Sequence, residues 1–207
     1  MDNLPSPQRS PEWFAERLGH ASASRFKDIL AKTKSGPSAS RKNYATQLVC
    51  EILTGKREET YVNAAMQRGT DIEPMARMAY ESRTGEIVQE AGFLKHALLR
   101  AGASPDGLIG EDGGMEIKCP NTATHIETLL DGMPAEHKAQ IQGAMWITGR
   151  AFWDFVSYDD RLPEEMRLYV ERVFRDDVYI AALAREVETF IGEVDSTVSK
   201  LKEKFHG

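Results

Sequence analysis

What most limits the fold of this chain is a change of period partway along it. Up to residue 84 the apolar residues recur at helical spacing, as in Phe26, Ile29 and Leu30. Between 86 and 118 that spacing gives way to short segments with turn residues between them: 86–89, 92–96, 99–104, 107–109 and 115–118. Helical spacing returns at 122–130 and 135–148. Two strand-like runs follow, at 152–158 and 168–173. The end, 176–205, is one long amphipathic stretch carrying Ile180, Leu183, Val187, Phe190, Ile191, Val194, Val198 and Leu201. A chain that is helical at both ends with its strands gathered in the middle is neither all-α nor all-β. The expected class is α/β (α+β), a central mixed β-sheet flanked by helices, with the segments 86–118 forming a meander or hairpins of one sheet.

Local signals mark the boundaries. Ser10 before Pro11 reads as the N-cap of a short first helix that stops near Leu18-Gly19. Ser22 or Ser24 is expected to cap a second helix reaching Ala31. A Gly/Ser/Pro/Lys loop covers 32–40. A helix over 41–53 ends at Thr54-Gly55. Another is expected over 63–84, with Pro74 predicting a kink or break inside it. There is no internal repeat and no long linker, so the 207 residues read as a single domain, with a loose Pro/Ser-rich lead over 1–10.

Composition narrows the function classes. No apolar run approaches the roughly 18–20 residues that span a bilayer, and the N-terminus lacks the apolar stretch of a secretory signal. Cys50 and Cys119 are too few for a four-Cys zinc or iron–sulfur site. The expectation is a cytoplasmic, reduced protein without a membrane partner. The net charge is −6, but it is unevenly spread. Between His20 and Cys50 there are six basic residues (Arg25, Lys27, Lys32, Lys34, Arg41, Lys42) and one acid, Asp28. From Arg150 to Gly207 nine basic residues face thirteen acidic ones. A basic N-terminal face and an acidic C-terminal part are expected.

The chemistry is carried by Ser104-Pro105-Asp106-Gly107 and, further on, Glu116-Ile117-Lys118. Alternate residues of a strand face the same way, so Glu116 and Lys118 project from one face. Asp106 heads the preceding hairpin arm and can converge on Glu116. Two acids and an ammonium at one point are costly unless something neutralises the acids. A hard divalent cation does so, and Mg²⁺ favours one or two carboxylates with water and phosphate oxygens. Such a set suits phosphodiester hydrolysis: the cation lowers the pKa of a bound water, and Lys118 orients that water or stabilises developing charge. The competing reading is a Pro-Asp-Gly turn beside a surface pair of Glu116 and Lys118.

The pattern Pro105-Asp106…Glu116-Ile117-Lys118 fits the PD-(D/E)xK signature of a nuclease superfamily with a restriction-endonuclease-like core. The likeness is closer than that. Trp13-Phe14-Ala15-Glu16-Arg17-Leu18-Gly19 followed by Ser22-Ala23-Ser24 resembles the opening of the YqaJ-type phage recombination exonucleases, the lambda-exonuclease family. Arg68-Gly69-Thr70-Asp71-Ile72-Glu73-Pro74-Met75-Ala76, the core segments above, and Gln140-Ile141-Gln142-Gly143-Ala144-Met145-Trp146 resemble that family's further blocks, in its order, from residue 13 to about 150.

The resemblance implies a 5′-to-3′ exonuclease on linear double-stranded DNA, leaving 3′ single strands for an annealing protein, as a ring-shaped homotrimer. It implies Asp106, Glu116 and the Ile117 carbonyl as metal ligands, with Glu73 completing a two-metal site. Mg²⁺ would be the ion, with Mn²⁺ substituting. Lys118 would be the catalytic lysine, and Gln140 would lie near the attacking water. Arg17, Ser24 and Ser22 would hold the 5′-terminal phosphate, a role that the guanidinium fork and free N–H groups at a helix start also suit. Lys34 would sit near the DNA end, with Arg25 and Lys32 as further basic candidates. The implied setting is a bacterial host cell, with the chain encoded by a phage or prophage. Other readings of the same residues are a PD-(D/E)xK endonuclease, a RecB/Cas4-like nuclease, or a DNA-end-binding module without catalysis. At single residues the competitors are Arg17 paired with an acid of its own helix, a solvated Glu73, and Gln140 bridging helices. His20, His96, His125, His137 and His206 show no metal-ligand spacing, and His137 is expected to have no catalytic role. Trp146, Trp153, Met115 and Met145 are expected in the core.

Overall fold

A computed structural model of the chain describes residues 6–34, 36–57 and 63–206. Helix α1 spans Pro11–Arg17, with the Ser10 hydroxyl accepting from the Trp13 N–H and Pro11 in the first turn. Strand β1 is Ala21–Ser22. A 3₁₀ turn, Ala23–Arg25, then leads into α2, Phe26–Leu30. Neither Ser22 nor Ser24 caps this helix with its side chain, contrary to expectation. Their hydroxyls instead meet each other at 3.1 Å.

The loop over 32–40 contains a small antiparallel ribbon, β2 (Lys32–Thr33) against β3 (Gly36–Pro37). Helix α3, Ala39–Thr54, is capped by Ser38 and closed by Gly55 in the left-handed region. Helix α4, Ala64–Thr84, is capped by Asn63 and runs through Pro74 as one element, so of the expected kink or break the break does not occur. Packing accounts for this. Ile72, Ala76 and Tyr80 recur every four residues on one face and are buried on both sides of the proline.

The strand-like middle forms two sheets rather than one. Strands β4 (Val88–Gln89), β7 (Gly107–Ile109) and β8 (Gly113–Lys118) join β9 (Phe152–Tyr158) and β10 (Leu168–Phe174) in the order β10-β9-β8-β7-β4. The β8–β9 pair is parallel and the others antiparallel, which makes the sheet mixed. Strands β5 (Leu94–Lys95) and β6 (Ala101–Ala103) go instead to a three-stranded sheet, β1-β6-β5. Single-strand periodicity cannot reveal this division, because it depends on β1 reaching back to pair with β6.

Helices α5 (Thr122–Asp131), α6 (Lys138–Thr148, after a 3₁₀ turn Ala135–His137) and α7 (Asp177–His206) complete the fold. Along β8, Met115 and Ile117 pack toward α4, while Glu116 and Lys118 face the other way, toward α6. The larger core lies on that second side: Trp153 and Phe155 with Phe26, Ile29, Ile141, Met145, Leu183, Val187 and Phe190. Trp146 packs against its edge. Gly143 lets α6 lie on Phe26, whose ring would stand 2.4 Å from a Cβ there.

Much of the basic stretch is paired with acids in the fold. Lys32 pairs with Glu186 at 2.6 Å, and Arg41 forks onto Glu193 at 2.5 and 3.1 Å, both acids lying on α7. Arg25 pairs with Asp28 and Lys27 with Glu136. The basic stretch is therefore not a free electropositive face. Lys34 makes no ion pair among the described residues. Among the described residues no helix is long and apolar enough to cross a membrane.

Candidate active site

Asp106 lies between β6 and β7, at the mouth of the main sheet. Its N–H donates to the Met115 carbonyl at 3.1 Å, and its Oδ2 accepts from the Ile117 N–H at 2.7 Å. Gly107 must follow it, because a Cβ there would stand 2.1 Å from Val88 Cγ1. Glu116 is 5% exposed. Its Oε1 accepts from Lys118 Nζ at 2.5 Å and from Gln140 Nε2 at 2.6 Å, and Lys118 also donates to Gln140 Oε1 at 3.3 Å. Gln140 therefore ties a carboxylate to an ammonium and does not bridge helices.

The electrostatics are those of crowded acids. Burial, then the charges of Glu116 and Glu73, push the Asp106 carboxyl well above the usual carboxylate range. Burial opposes the charge on Lys118, but Glu116 and Asp106 outweigh it and raise its pKa. Burial, Glu73 and Asp106 raise the Cys119 thiol to about 12, so it stays protonated and is no nucleophile. Glu73, on α4, has its Oε2 bonded to Arg9 at 2.8 Å. Residues 6–10, expected from composition to be loose, pack back onto this region. Gln8 Nε2 donates to the Pro105 carbonyl at 2.6 Å, and Ser6 Oγ to Glu16 at 2.8 Å.

Among the described residues, no group of three His, Cys, Asp or Glu side chains is gathered closely enough to hold a metal by itself. The donor set nevertheless suits a hard cation. It is all oxygen and its carboxylates outnumber its one lysine, and the neighbouring acids add to burial in raising the Asp106 pKa. Asp106, Glu116 and the Ile117 carbonyl could contribute, with water and phosphate oxygens filling the remaining positions.

The second set of candidates lines a cavity of about 190 Å³ bounded by Trp13, Arg17, Ser22, Ser24, Tyr44 and Arg57, among others. Arg17 does not pair with an acid of its own helix. Its Nη1 donates to Ser104 Oγ at 2.7 Å and its Nη2 to Ser22 Oγ at 3.1 Å. Among the described residues no carboxylate lies within ion-pair distance of it. The guanidinium lies 4.2 Å from the Trp13 ring centroid and 5.4 Å from that of Phe93. Burial, with Arg57 adding to it, lowers the Arg17 pKa. The Ser22 N–H donates to the Tyr44 hydroxyl at 2.8 Å, so that amide is not open to an anion. Arg25 borders the cavity but is bonded to Asp28 and Gln47. Lys34 lies on the β2–β3 ribbon and does not line it.

Ser104 joins the two sets. Its hydroxyl accepts from Arg17 and from Trp13 Nε1, and Asp106 follows two residues later, at most about 7 Å of extended chain. The three-stranded sheet makes this possible. Ser22 on β1 is in register with Gly102 on β6, two residues before Ser104. Ser104, Trp13, Phe93 and Arg77 are site residues to which sequence reasoning assigns no role. Trp13 and Ser104 stand inside the motifs and could have been found there, whereas nothing in the sequence marks Phe93.

His137 stacks on Phe155 at 5.2 Å, one helical turn before Gln140. Burial, then the Lys118 charge, lowers its pKa from 6.5 to about 4. The unfolded chain takes up this proton near 6.5 and the folded one only near 4, so stability falls as pH drops through that window. His137→Phe should flatten the fall in Tm between about pH 6.5 and about 4. An unchanged slope would show that His137 carries none of it.

A sequence profile of the YqaJ-like viral recombinase domain matches residues 12–151. A protein of Escherichia coli (strain K12) designated ExoD is 30% identical over 72 residues, which is 35% of this chain and 82% of that protein. Two crystal structures of LHK-Exo, an alkaline exonuclease from Laribacter hongkongensis, one of them in complex with dAMP, are similar at 50% identity with TM-scores of 0.89 and 0.88. Each similarity covers 94% of this chain and 97% of theirs. A phage-related exonuclease from Haemophilus somnus 129PT shares the fold, with a TM-score of 0.71 at 16% identity, over 88% of this chain and 96% of that one. The motif order, the mixed sheet with its clustered acids and these likenesses agree: the chain belongs to the YqaJ-like viral recombinase domain family.

Proposed function

We propose that this chain is a divalent-metal-dependent exonuclease that digests linear double-stranded DNA from 5′-phosphorylated ends and leaves 3′ single strands for a single-strand annealing protein. The observation that carries the reading is the Ser104 link. Among the described residues the Arg17 guanidinium has no carboxylate within ion-pair distance, and Ser104, which it grips, stands two residues before Asp106 and its neighbouring acids, so the pocket suits a terminal phosphate with the next phosphodiester near the acids. Alkaline exonuclease is also how LHK-Exo is described.

Arg17 holds the terminal phosphate through its fork, with Ser22 and Ser104 fixing the guanidinium plane. Trp13 and Phe93 keep that plane in an apolar setting where the charge is worth more. Lys118, oriented by Glu116 and Gln140, donates toward the phosphate or the attacking water. A divalent ion, Mg²⁺ or Mn²⁺, would supply neutralisation of Asp106 and Glu116 and activation of water. The reading includes a second ion drawing on Glu73, for which Arg9 must leave that carboxylate. It also includes a homotrimeric ring around the DNA and a place in the bacterial cytoplasm, both supported by the family likeness alone.

The test is digestion of linear duplex bearing a 5′ phosphate or a 5′ hydroxyl, beside a closed circle. Only linear DNA should be consumed, and phosphorylated ends should be preferred. Arg17→Ala should remove that preference, about 10- to 100-fold for a lost charge-assisted pair. Cutting of the circle would remove the end-binding role, and equal losses on both ends would detach the phosphate from Arg17.

A further inference from the structure

Asp106 is held at three points. Two come from the neighbouring strand: the Met115 carbonyl on its N–H and the Ile117 N–H on its Oδ2. The third comes from α4, where Arg77 Nη2 donates to the Asp106 carbonyl at 2.6 Å. Arg77 lies four residues after Glu73, so the two share a helix face about 6 Å apart along the axis. Its other arm reaches Glu90 at 3.5 Å, a side chain 82% exposed. Arg77 itself is 22% exposed and lines, with Asp106 and Glu73, a cavity of about 740 Å³.

We infer that Arg77 is a positioning residue that fixes the distance between the helix-borne acid Glu73 and Asp106, in the turn before β7. The inference rests on the reading that these acids hold a divalent ion. The contact is to backbone, so it aims the carboxylate without occupying it. Neither strand contact can replace it, because both lie within the sheet and say nothing about where α4 sits. Arginine suits this role, because its side chain spans from helix to loop and its planar fork gives directional donors. A carboxylate ligand held by an outer partner of this kind loses about 10- to 100-fold in metal affinity or activity when the partner goes.

The test compares Arg77→Met and Arg77→Lys with the parent chain by three readouts: amide hydrogen exchange of residues 104–107 without metal, Mn²⁺ titration without DNA, and kcat and KM on phosphorylated linear duplex. Arg77→Met should speed exchange in that segment, weaken Mn²⁺ binding about tenfold or more and lower kcat similarly, with KM for DNA unchanged. Arg77→Lys, which keeps one donor, should recover part of each. If Arg77→Met does not fold, Arg77→Lys carries the same comparison at reduced amplitude. Unchanged exchange and Mn²⁺ binding in a folded variant would overturn the inference. So would a raised KM at constant kcat, which would make Arg77 a DNA contact. A parent chain that binds Mn²⁺ in an Arg77-dependent way but spares linear DNA would sink the exonuclease reading and leave Arg77 in its role.

Discussion

Asp106→Asn and Glu116→Gln should each lower cleavage of linear duplex by at least about 10³-fold while leaving the fold in place. The loss follows from removing an anionic oxygen from a set whose chemistry depends on gathered negative charge. The stability side is equally specific. Asp106 is raised well above the carboxylate range by its burial and by Glu116 and Glu73, so its charge opposes folding. The asparagine oxygen still accepts from the Ile117 N–H. Asp106→Asn should therefore raise Tm. Inactive protein with a raised Tm in metal-free buffer is the expected pair of results. An active variant would remove Asp106 from the chemistry, and an inactive one with a lowered Tm would make it a structural turn residue. Lys118→Ala differs, because Glu116 loses its ammonium partner: turnover should fall while DNA is still bound.

The largest expected change in stability lies behind the site, at Asp154. This residue is 2% exposed on β9 and accepts from Tyr80 of α4 at 2.6 Å and from both arms of Arg172 on β10 at 2.8 Å. One carboxylate thus joins the helix that carries Glu73 and Arg77 to two strands of the main sheet. Asp154→Ala should destabilise the chain by about 3 kcal/mol, the lower end for breaking a buried charged network, because Arg172 is part-exposed and can rehydrate. At about 2–4 °C per kcal/mol this lowers Tm by roughly 6–12 °C. The companion Tyr80→Phe removes one donor and leaves the Arg172 pair, so it should cost about 1 kcal/mol. Equal Tm values for Asp154→Ala and the parent chain would mean that α4 is held by its apolar face alone.

Much of this molecule is legible in single segments. Glu116 and Lys118 emerge on one face because a strand alternates, and β8 alternates as written. Helix α3 ends where Gly55 takes the left-handed conformation that Thr54-Gly55 announces. Strands β9 and β10 and the long α7 follow from their own periods. The failures are of one kind. Pro74 signals a break that the packing of Ile72, Ala76 and Tyr80 overrides. Ser22 and Ser24 have cap chemistry but spend it on each other and on Arg17. Lys32 and Arg41 read as a basic face until the partners on α7, some 150 residues away, are in place.

The sequence by itself determined the class of fold, the acids, the lysine and the glutamine, because residue type, period and spacing act within one segment. Only the tertiary structure decided what those groups face. It set Ser22 beside β6 through the parallel β1–β6 pair, brought Arg17 onto Ser104, and laid Arg77 on the Asp106 carbonyl. Each of these contacts joins residues on different elements. A segment's own preferences do not encode its distance to another segment; that distance is fixed only when the helices and both sheets bury their shared apolar faces.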